Sequence, residues 1–154
     1  MSQTHRRIIW TGMIVLATAA VVTFSRAQDG SVQPQISLPD LEVYSVTAPS
    51  SGTRGLPISI GDVTTNIGTA NAIQSETGYY LCQSLGRVSS SCYLTNHLTA
   101  GIAKGKSWPW TGTVNVPATQ PVGTNYLVVV ANYLRSINES NYANNTNHVM
   151  IIIN

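Results

Sequence analysis

Charged side chains are scarce in this chain, because aspartate, glutamate, lysine and arginine together make up only 9% of its 154 residues. The formal charge of +2 originates at the N-terminus, where Arg6, Arg7 and Arg26 lie. Without these three, five basic residues face six acidic ones, and the formal charge is −1. A near-neutral body lacks the basic surface that binds phosphates, so the composition excludes a nucleic-acid partner.

The sequence also lacks the motifs of common hydrolases, since it contains no G-x-S-x-G, no H-E-x-x-H and no paired acidic motif. His97 and His148 are the candidate catalytic bases. A hydrolase would need a nucleophile and an orienting acid near one of them, and the chain has only six carboxylates. We interpret both as isolated surface or strand-end histidines, and we expect neither an enzyme nor a cofactor.

The N-terminus has the three parts of a secretory signal peptide. A basic start at positions 5–7 precedes the apolar run Ile8–Phe24, and the small residues Ser25 and Ala27 follow it. We therefore predict a hydrophobic signal helix over residues 1–27, removed by cleavage. The alternative is an uncleaved membrane anchor, because about 17 apolar residues are at the short edge of what spans a bilayer. Either interpretation places the body outside the cell, secreted or at the cell surface.

Cysteine is nearly absent, with Cys82 and Cys92 as the only two. In an exported chain such a pair predicts one disulfide. It would close the polar segment Gln83–Ser91, a hairpin or short excursion, and would stabilise the fold by about 2–3 kcal/mol. A redox or metal pair is not favoured, because C-x-x-C spacing and neighbouring ligands are missing.

Seven short segments of the body predict β-strands, and none shows the sustained 3.6-residue period of a helix. They are Asp40–Ala48, Leu56–Asn66, Glu76–Cys82, Cys92–Leu98, Ser107–Val116, Tyr126–Val130 and Val149–Ile153. Pro49–Gly55 is interpreted as a turn-rich connection. Gly61 and Asp62 interrupt the second segment, where we expect a β-bulge and a carboxylate that turns outward or bonds to backbone. The pattern predicts an all-β fold over residues 40–154, a single immunoglobulin-like (fibronectin type III-like) sandwich, with residues 28–39 as a linker or N-terminal arm.

Five segments resemble, in the same order, the motifs of one known domain family. They are Leu38–Leu41 (P-D-L), Gly61–Gly68 (D-T-T-x-N-x-G), Tyr79–Leu81 (Y-Y-L), Val116–Tyr126 (V-P…G-x-Y) and Glu139–Thr146 (E-S-N-E-x-N-N-T). The chain thus resembles the cell-adhesion-related domain found in bacteria (CARDB). The resemblance implies a fibronectin-like or immunoglobulin-like sandwich with adhesion or spacer duty at a surface. Two departures remove negative charge: Asn132 stands where the family often has aspartate, and Tyr142 where a second glutamate is usual.

The loop Asn138–Asn147 contains the densest polar cluster in the chain. Its motif residues, Glu139, Asn141, Asn144 and Asn145, combine one carboxylate with amides that readily bond to nearby backbone. We interpret them as a structural motif that satisfies its own loop. The alternative is a weak calcium site, which one carboxylate supports poorly because calcium takes six to eight oxygen ligands.

Two glycan acceptor triplets lie in the same loop. Asn138 begins the triplet N-E-S, and Asn144 begins the triplet N-N-T. Such triplets arise by chance in asparagine-rich loops, and these two coincide with the family motif. Asn138 and Asn144 are therefore possible glycosylation sites whose use depends on the host.

Trp108 and Trp110 are the most suggestive residues for binding, because side chains at i and i+2 of a strand face the same side. Pro109 between them cannot donate to a ladder and predicts an edge strand or a strand start. If the shared face points inward, the indoles are large core residues. If it points outward, they form an aromatic platform that can stack on sugars or anchor a partner.

The sequence therefore predicts an exported, non-catalytic module for adhesion or structural assembly. Its expected partners are other surface proteins, copies of itself, or a glycan, and it would touch a membrane only through an uncleaved N-terminal segment. In the assembly hypothesis, residues 28–39 add as a strand to the sheet of a neighbouring copy and build a filament. The alternative function is a carbohydrate-binding module that uses exposed Trp108 and Trp110.

Overall fold

The computed structural model describes residues 36–154, so the predicted signal peptide and most of the predicted arm lie outside the described residues. The strands of this part are β1 (Leu41–Thr47), β2 (Ser51–Gly52), β3 (Pro57–Asn66), β4 (Ser75–Cys82), β5 (Tyr93–Thr99), β6 (Ser107–Asn115), β7 (Gly123–Val130) and β8 (Thr146–Ile153). Two single-turn 3-10 helices, Leu85–Arg87 and Ser90–Cys92, lie between β4 and β5. Within residues 36–154 no helix is long and apolar enough to span a bilayer.

The strands form two sheets, which face each other as a β-sandwich. One has the order β1-β3-β6 and the other the order β2-β8-β7-β4-β5. All strand pairs are antiparallel except β2 with β8. Buried side chains from both sheets build one core, among them Leu41, Val43, Ile58, Ile60 and Val114 from the first sheet and Tyr79, Leu81, Leu127, Val129 and Ile151 from the second.

The apolar run of β7 is explained by its place at the middle of the larger sheet, between β4 and β8. Leu127 and Val129 point into the core and are 0% exposed. Val128 points to the outer face, yet it is only 1% exposed because Tyr80 and His148 pair with it on the neighbouring strands. A strand covered on both faces tolerates apolar residues at every position.

The seven predicted strands all exist, but the bulge predicted at Gly61 and Asp62 is wrong. The β3–β6 register runs without interruption through both residues, and the irregularity lies instead in β1, between Val43 and Ser45. Asp62 points into the sandwich and is 4% exposed, so the expectation of an outward or backbone-bonded carboxylate is also wrong. Tyrosine and histidine partners on the opposite sheet make this burial possible, as described below.

Two further features lie between the predicted strands. The segment expected to be a turn-rich gap contains β2, whose Ser51 and Gly52 pair in parallel with Ile152 and Ile153 of β8. At the other end of the larger sheet a disulfide joins Cys82 and Cys92, with an S–S distance of 2.04 Å, which confirms the predicted bridge. The bridge ties the end of β4 to the residue before β5, and the loop between them carries both 3-10 turns.

Gly61 is required by crowding, because an added Cβ would lie 2.8 Å from the carbonyl oxygen of Trp110 and 2.9 Å from Oγ1 of Thr47. We expect Gly61→Ala to lower the free energy of unfolding by about 1–3 kcal/mol, measured by urea denaturation. Gly86→Ala is the matched control, since the nearest atom to its Cβ is 3.9 Å away. Equal stability of the two variants would contradict this account.

Candidate functional site

The carboxylate of Glu139 bonds to both ends of its own loop and to the start of β1, although Glu139 is only 6% exposed. Its Oε1 accepts hydrogen bonds from Nδ2 of Asn132 and Nδ2 of Asn145, each at 2.7 Å. Its Oε2 accepts the backbone N–H of Leu41 at 2.5 Å. Asn132 follows β7, Asn145 precedes β8, and Leu41 is the first residue of β1. A buried carboxylate is tolerated when such N–H donors replace water.

Asn132 shapes the loop through its backbone conformation, in addition to donating a hydrogen bond to Glu139. Its φ is +47°, a left-handed conformation that asparagine tolerates. Its amide also donates to the carbonyl of Ile137 at 2.9 Å, while its Oδ1 accepts from the hydroxyl of Ser136 at 3.2 Å. An ionised aspartate at this position could not make the bond to Glu139, because a carboxylate has no N–H to donate.

The other motif residues of this loop have different partners. Asn144 donates to the carboxylate of Asp40 at 2.7 Å, and Asn141 accepts the backbone N–H of Ala143 at 2.9 Å. Asn138 is exposed, whereas Asn144 is half-buried, so a glycan on Asn144 would have to break its bond to Asp40. In the part of the chain that the structure describes, no three His, Cys, Asp or Glu side chains are grouped so that they could hold a metal ion.

A second buried acid, Asp62, links the two sheets. Tyr79 donates its hydroxyl to Oδ1 of Asp62, and Thr64 donates to Oδ2 at 3.0 Å. Nε2 of His97 lies 3.3 Å from Oδ1, and the His97 ring stacks on Trp110 with centroids 4.3 Å apart. Burial, together with the hydrogen bond to Asp62, raises the pKa of Tyr79. The four strands β3 to β6 thus meet at one polar cluster between the sheets.

The interpretation of His97 as a surface or strand-end residue is wrong, because it lies inside β5 with its side chain only 8% exposed. Asp62 and His97 make the carboxylate–imidazole contact that hydrolase triads also contain. The nucleophile would have to bond to the other ring nitrogen, and Nδ1 of His97 is buried without a hydrogen-bond partner among residues 36–154. The contact joins β3 of one sheet to β5 of the other, so the pair links the two sheets. His148 is exposed on β8 and contacts the ring of Tyr126.

The two indoles lie on β6, an edge strand, as Pro109 predicted. Trp110 packs against the core and is covered by His97, while Trp108 is 38% exposed. One indole is thus a partly buried core residue and the other is a surface residue. They do not form the flat exposed platform that one of the two alternatives required.

Three tyrosines that the sequence analysis did not single out converge on the outer face of the larger sheet. Tyr80 of β4 contacts Tyr93 of β5 edge to face, with centroids 5.4 Å apart, and Tyr93 stacks on Tyr133 with centroids 6.0 Å apart. Alternation along β4 signals that Tyr80 faces away from buried Tyr79. Tyr133 lies in the loop after β7, and no local pattern signals that it joins the other two.

Two facing, mostly antiparallel sheets, the larger of which carries one disulfide at the end of β4, define an all-β sandwich domain. The CARDB family model matches residues 38–149, so the chain belongs to the CARDB family, a family of non-enzymatic domains described as cell-adhesion related. No curated protein sequence matches the chain significantly.

Solved structures with the same fold include a CARDB domain and a domain from a candidate cell surface protein. One, from Pyrococcus furiosus, was crystallised in complex with di-metal ions; it is 13% identical, the match covers 76% of this chain and 90% of that one, and the TM-score is 0.58. Another, from a candidate cell surface protein of Methanosarcina acetivorans, is 14% identical over 76% of this chain and 93% of that one, with a TM-score of 0.57. A β-glucosidase from Listeria innocua matches over only 16% of its own length, with 12% identity and a TM-score of 0.50.

Replacing Glu139 tests the buried carboxylate. Glu139→Gln keeps the size but turns one acceptor oxygen into a donor, which opposes the three N–H groups that converge there. We expect the free energy of unfolding to fall by about 2–3 kcal/mol in urea denaturation. The same change at half-buried Glu42 of β1 is the control. A loss no larger at Glu139 than at Glu42 would refute the role.

Removing one hydroxyl tests the cluster between the sheets. Tyr79→Phe keeps the buried ring but leaves Asp62 without its phenol donor, so we expect a loss of about 1–3 kcal/mol of stability. Tyr44→Phe is the control, because Tyr44 is 69% exposed. Thermal denaturation of both variants is the measurement, and an unchanged melting temperature for Tyr79→Phe would exclude an energetic role for the bond.

Proposed function

We propose that this chain is an exported, non-catalytic module that works in adhesion or assembly at the cell surface or beyond it. Membership of a family described as cell-adhesion related supports the role, and the relative from a candidate cell surface protein supports the location. The Cys82–Cys92 disulfide also favours export, because such bonds persist in oxidising compartments.

We also propose that the sandwich is of the immunoglobulin-like, fibronectin type III-like kind. When the strands are given immunoglobulin letters, β1, β3 and β6 take the places of A, B and E in one sheet. In the other sheet β4, β7 and β8 take those of C, F and G. The neighbours in each sheet then agree with the lettered sheets, and β5 extends the second one beyond C.

The single observation that most supports the assembly role is the unpaired outer edge of strand β6. This nine-residue strand pairs only with β3, and it contains no charged residue. Edge strands of natural proteins are usually protected by charges, prolines or bulges, and here Pro109 protects only the first part. The segment after Pro109 offers unpaired backbone groups to an incoming strand, which is the geometry of β-strand addition.

The strand that would be added is the N-terminal arm of another copy. Its last residues are already held by their own domain, because the carbonyl of Leu38 accepts the backbone N–H groups of Thr69 and Ala70 at 2.9 and 3.1 Å. The donated part therefore comes from the arm before Ser37, which shortens the arm expected from the sequence. Repeated donation between copies would build a filament.

Negative-stain microscopy of the mature chain, residues 28–154, tests this assembly. We expect filaments for the mature chain and monomers after deletion of residues 28–36. A matched variant with Ser31→Pro and Gln33→Pro keeps the length of the arm but removes two ladder donors, so it should also stay monomeric. Monomers of the unaltered mature chain would overturn the proposal, and so would filaments from both variants.

A further inference from the structure

The outer face of the larger sheet holds a cleft of about 430 Å³. Its lining consists of aromatic, hydroxyl and aliphatic side chains: Tyr80, Val88, Ser89, Ser90, Tyr93 and Tyr133. The tyrosines come from β4, β5 and the loop after β7, and the other three residues come from the loop that the disulfide closes. Its dimensions are those of small-molecule sites, which combine an apolar wall with a few polar groups.

The aromatic wall of this cleft is open to ligands. Tyr93 is 39% exposed although it contacts Tyr80 edge to face and Tyr133 with an interplanar angle of 30°. Tyrosine provides a rigid apolar ring with a polar end, the combination that is enriched where proteins bind polar partners. The three rings therefore offer an aromatic surface with hydroxyl groups along it.

A chain of hydrogen-bonding groups borders the rings. The hydroxyl of Tyr93 donates to Oδ1 of Asn96 at 3.0 Å, and the amide of Asn96 donates to the carboxylate of Glu76. The hydrogen bond with Tyr93 raises the pKa of Tyr133 to about 12, further above physiological pH, where a tyrosine hydroxyl is neutral. The border thus supplies neutral hydroxyl groups, an amide and one carboxylate.

The position of Tyr133 is fixed before any ligand arrives. Its backbone N–H donates to the carbonyl of Glu76 at 3.1 Å. Its ring lies directly over Gly78, where an added Cβ would be 2.9 Å from Cγ of Tyr133. A preformed wall reduces the ordering cost of binding.

We propose that this cleft binds a neutral saccharide, with a sugar face on the tyrosine rings and sugar hydroxyls bonded to the polar border. A neutral ligand is favoured over an anionic one by the described side chains, because none of the six lining residues is basic and the border contributes the carboxylate of Glu76. A purely aliphatic ligand would displace the water bound to the serine and tyrosine hydroxyls and would offer no hydrogen bond in exchange. The inference rests on the proposed surface role, for which a glycan would be the ligand, and it replaces Trp108 and Trp110 as the aromatic residues involved.

A glycan array that carries neutral and acidic oligosaccharides is the first test, with the mature chain as probe. We expect binding to a neutral glycan and a loss of tenfold or more in affinity for Tyr93→Ala, measured by calorimetry with that glycan. Gly78→Ala should weaken binding as well, because it displaces the Tyr133 ring while leaving all three tyrosines present. Tyr93→Phe, which keeps the ring, should lose less than Tyr93→Ala.

The controls are Tyr44→Ala, on the other sheet, and Trp108→Ala, on β6, both of which should bind like the unaltered chain. Circular dichroism verifies that each variant is folded. Binding to no neutral glycan, preference for acidic glycans or organic amines, or full affinity in folded Tyr93→Ala would each overturn the inference. Microscopy of the same samples separates the two proposals: filaments without glycan binding refute only this one, and glycan binding by monomers refutes only the assembly.

Discussion

The buried carboxylate of Glu139 is the constraint on which the closure of this sandwich depends. Its hydrogen bond to Leu41 spans 98 positions of sequence, and its bonds to Asn132 and Asn145 hold the two ends of the last long loop. Amide and backbone N–H groups supply all three bonds, and these donors take the place of water around the buried carboxylate. In a chain with only six carboxylates, one acid placed in this way fixes how β1, β7 and β8 meet.

Much of the fold follows from local pattern. The alternating and apolar runs located seven strands, the presence of two cysteines in a chain expected to be exported predicted the disulfide, and Pro109 marked an edge strand. The two-residue strand β2 carries no such pattern, because two residues cannot show a period. The inward turn of Asp62 also escaped local reasoning, since Tyr79 and His97, which make its burial tolerable, belong to the opposite sheet.

The candidate sites show the same division between local and distant information. The asparagine-rich loop was recognisable from its composition, but the meeting of Asn132, Asn145 and Leu41 at Glu139 depends on the assembled topology. Trp108 and Trp110 share a strand face as their spacing requires, yet the packing of His97 decides that only one stays at the surface. The tyrosine cleft unites three separate segments, so no single stretch of sequence reveals it.

The parallel course of β1, β2 and β8 has a mechanical consequence. The described chain enters the sandwich at β1, where Asn147 near the start of β8 donates to the carbonyl of Val43, and it leaves at Ile153, where β8 pairs with β2. An eight-residue strand is about 25 Å long, so entry and exit lie at opposite poles. A force applied between Leu41 and Ile153 would load β1 and β8 in shear along their lengths. Rupture would then require many contacts to break together, rather than one after another as in unzipping.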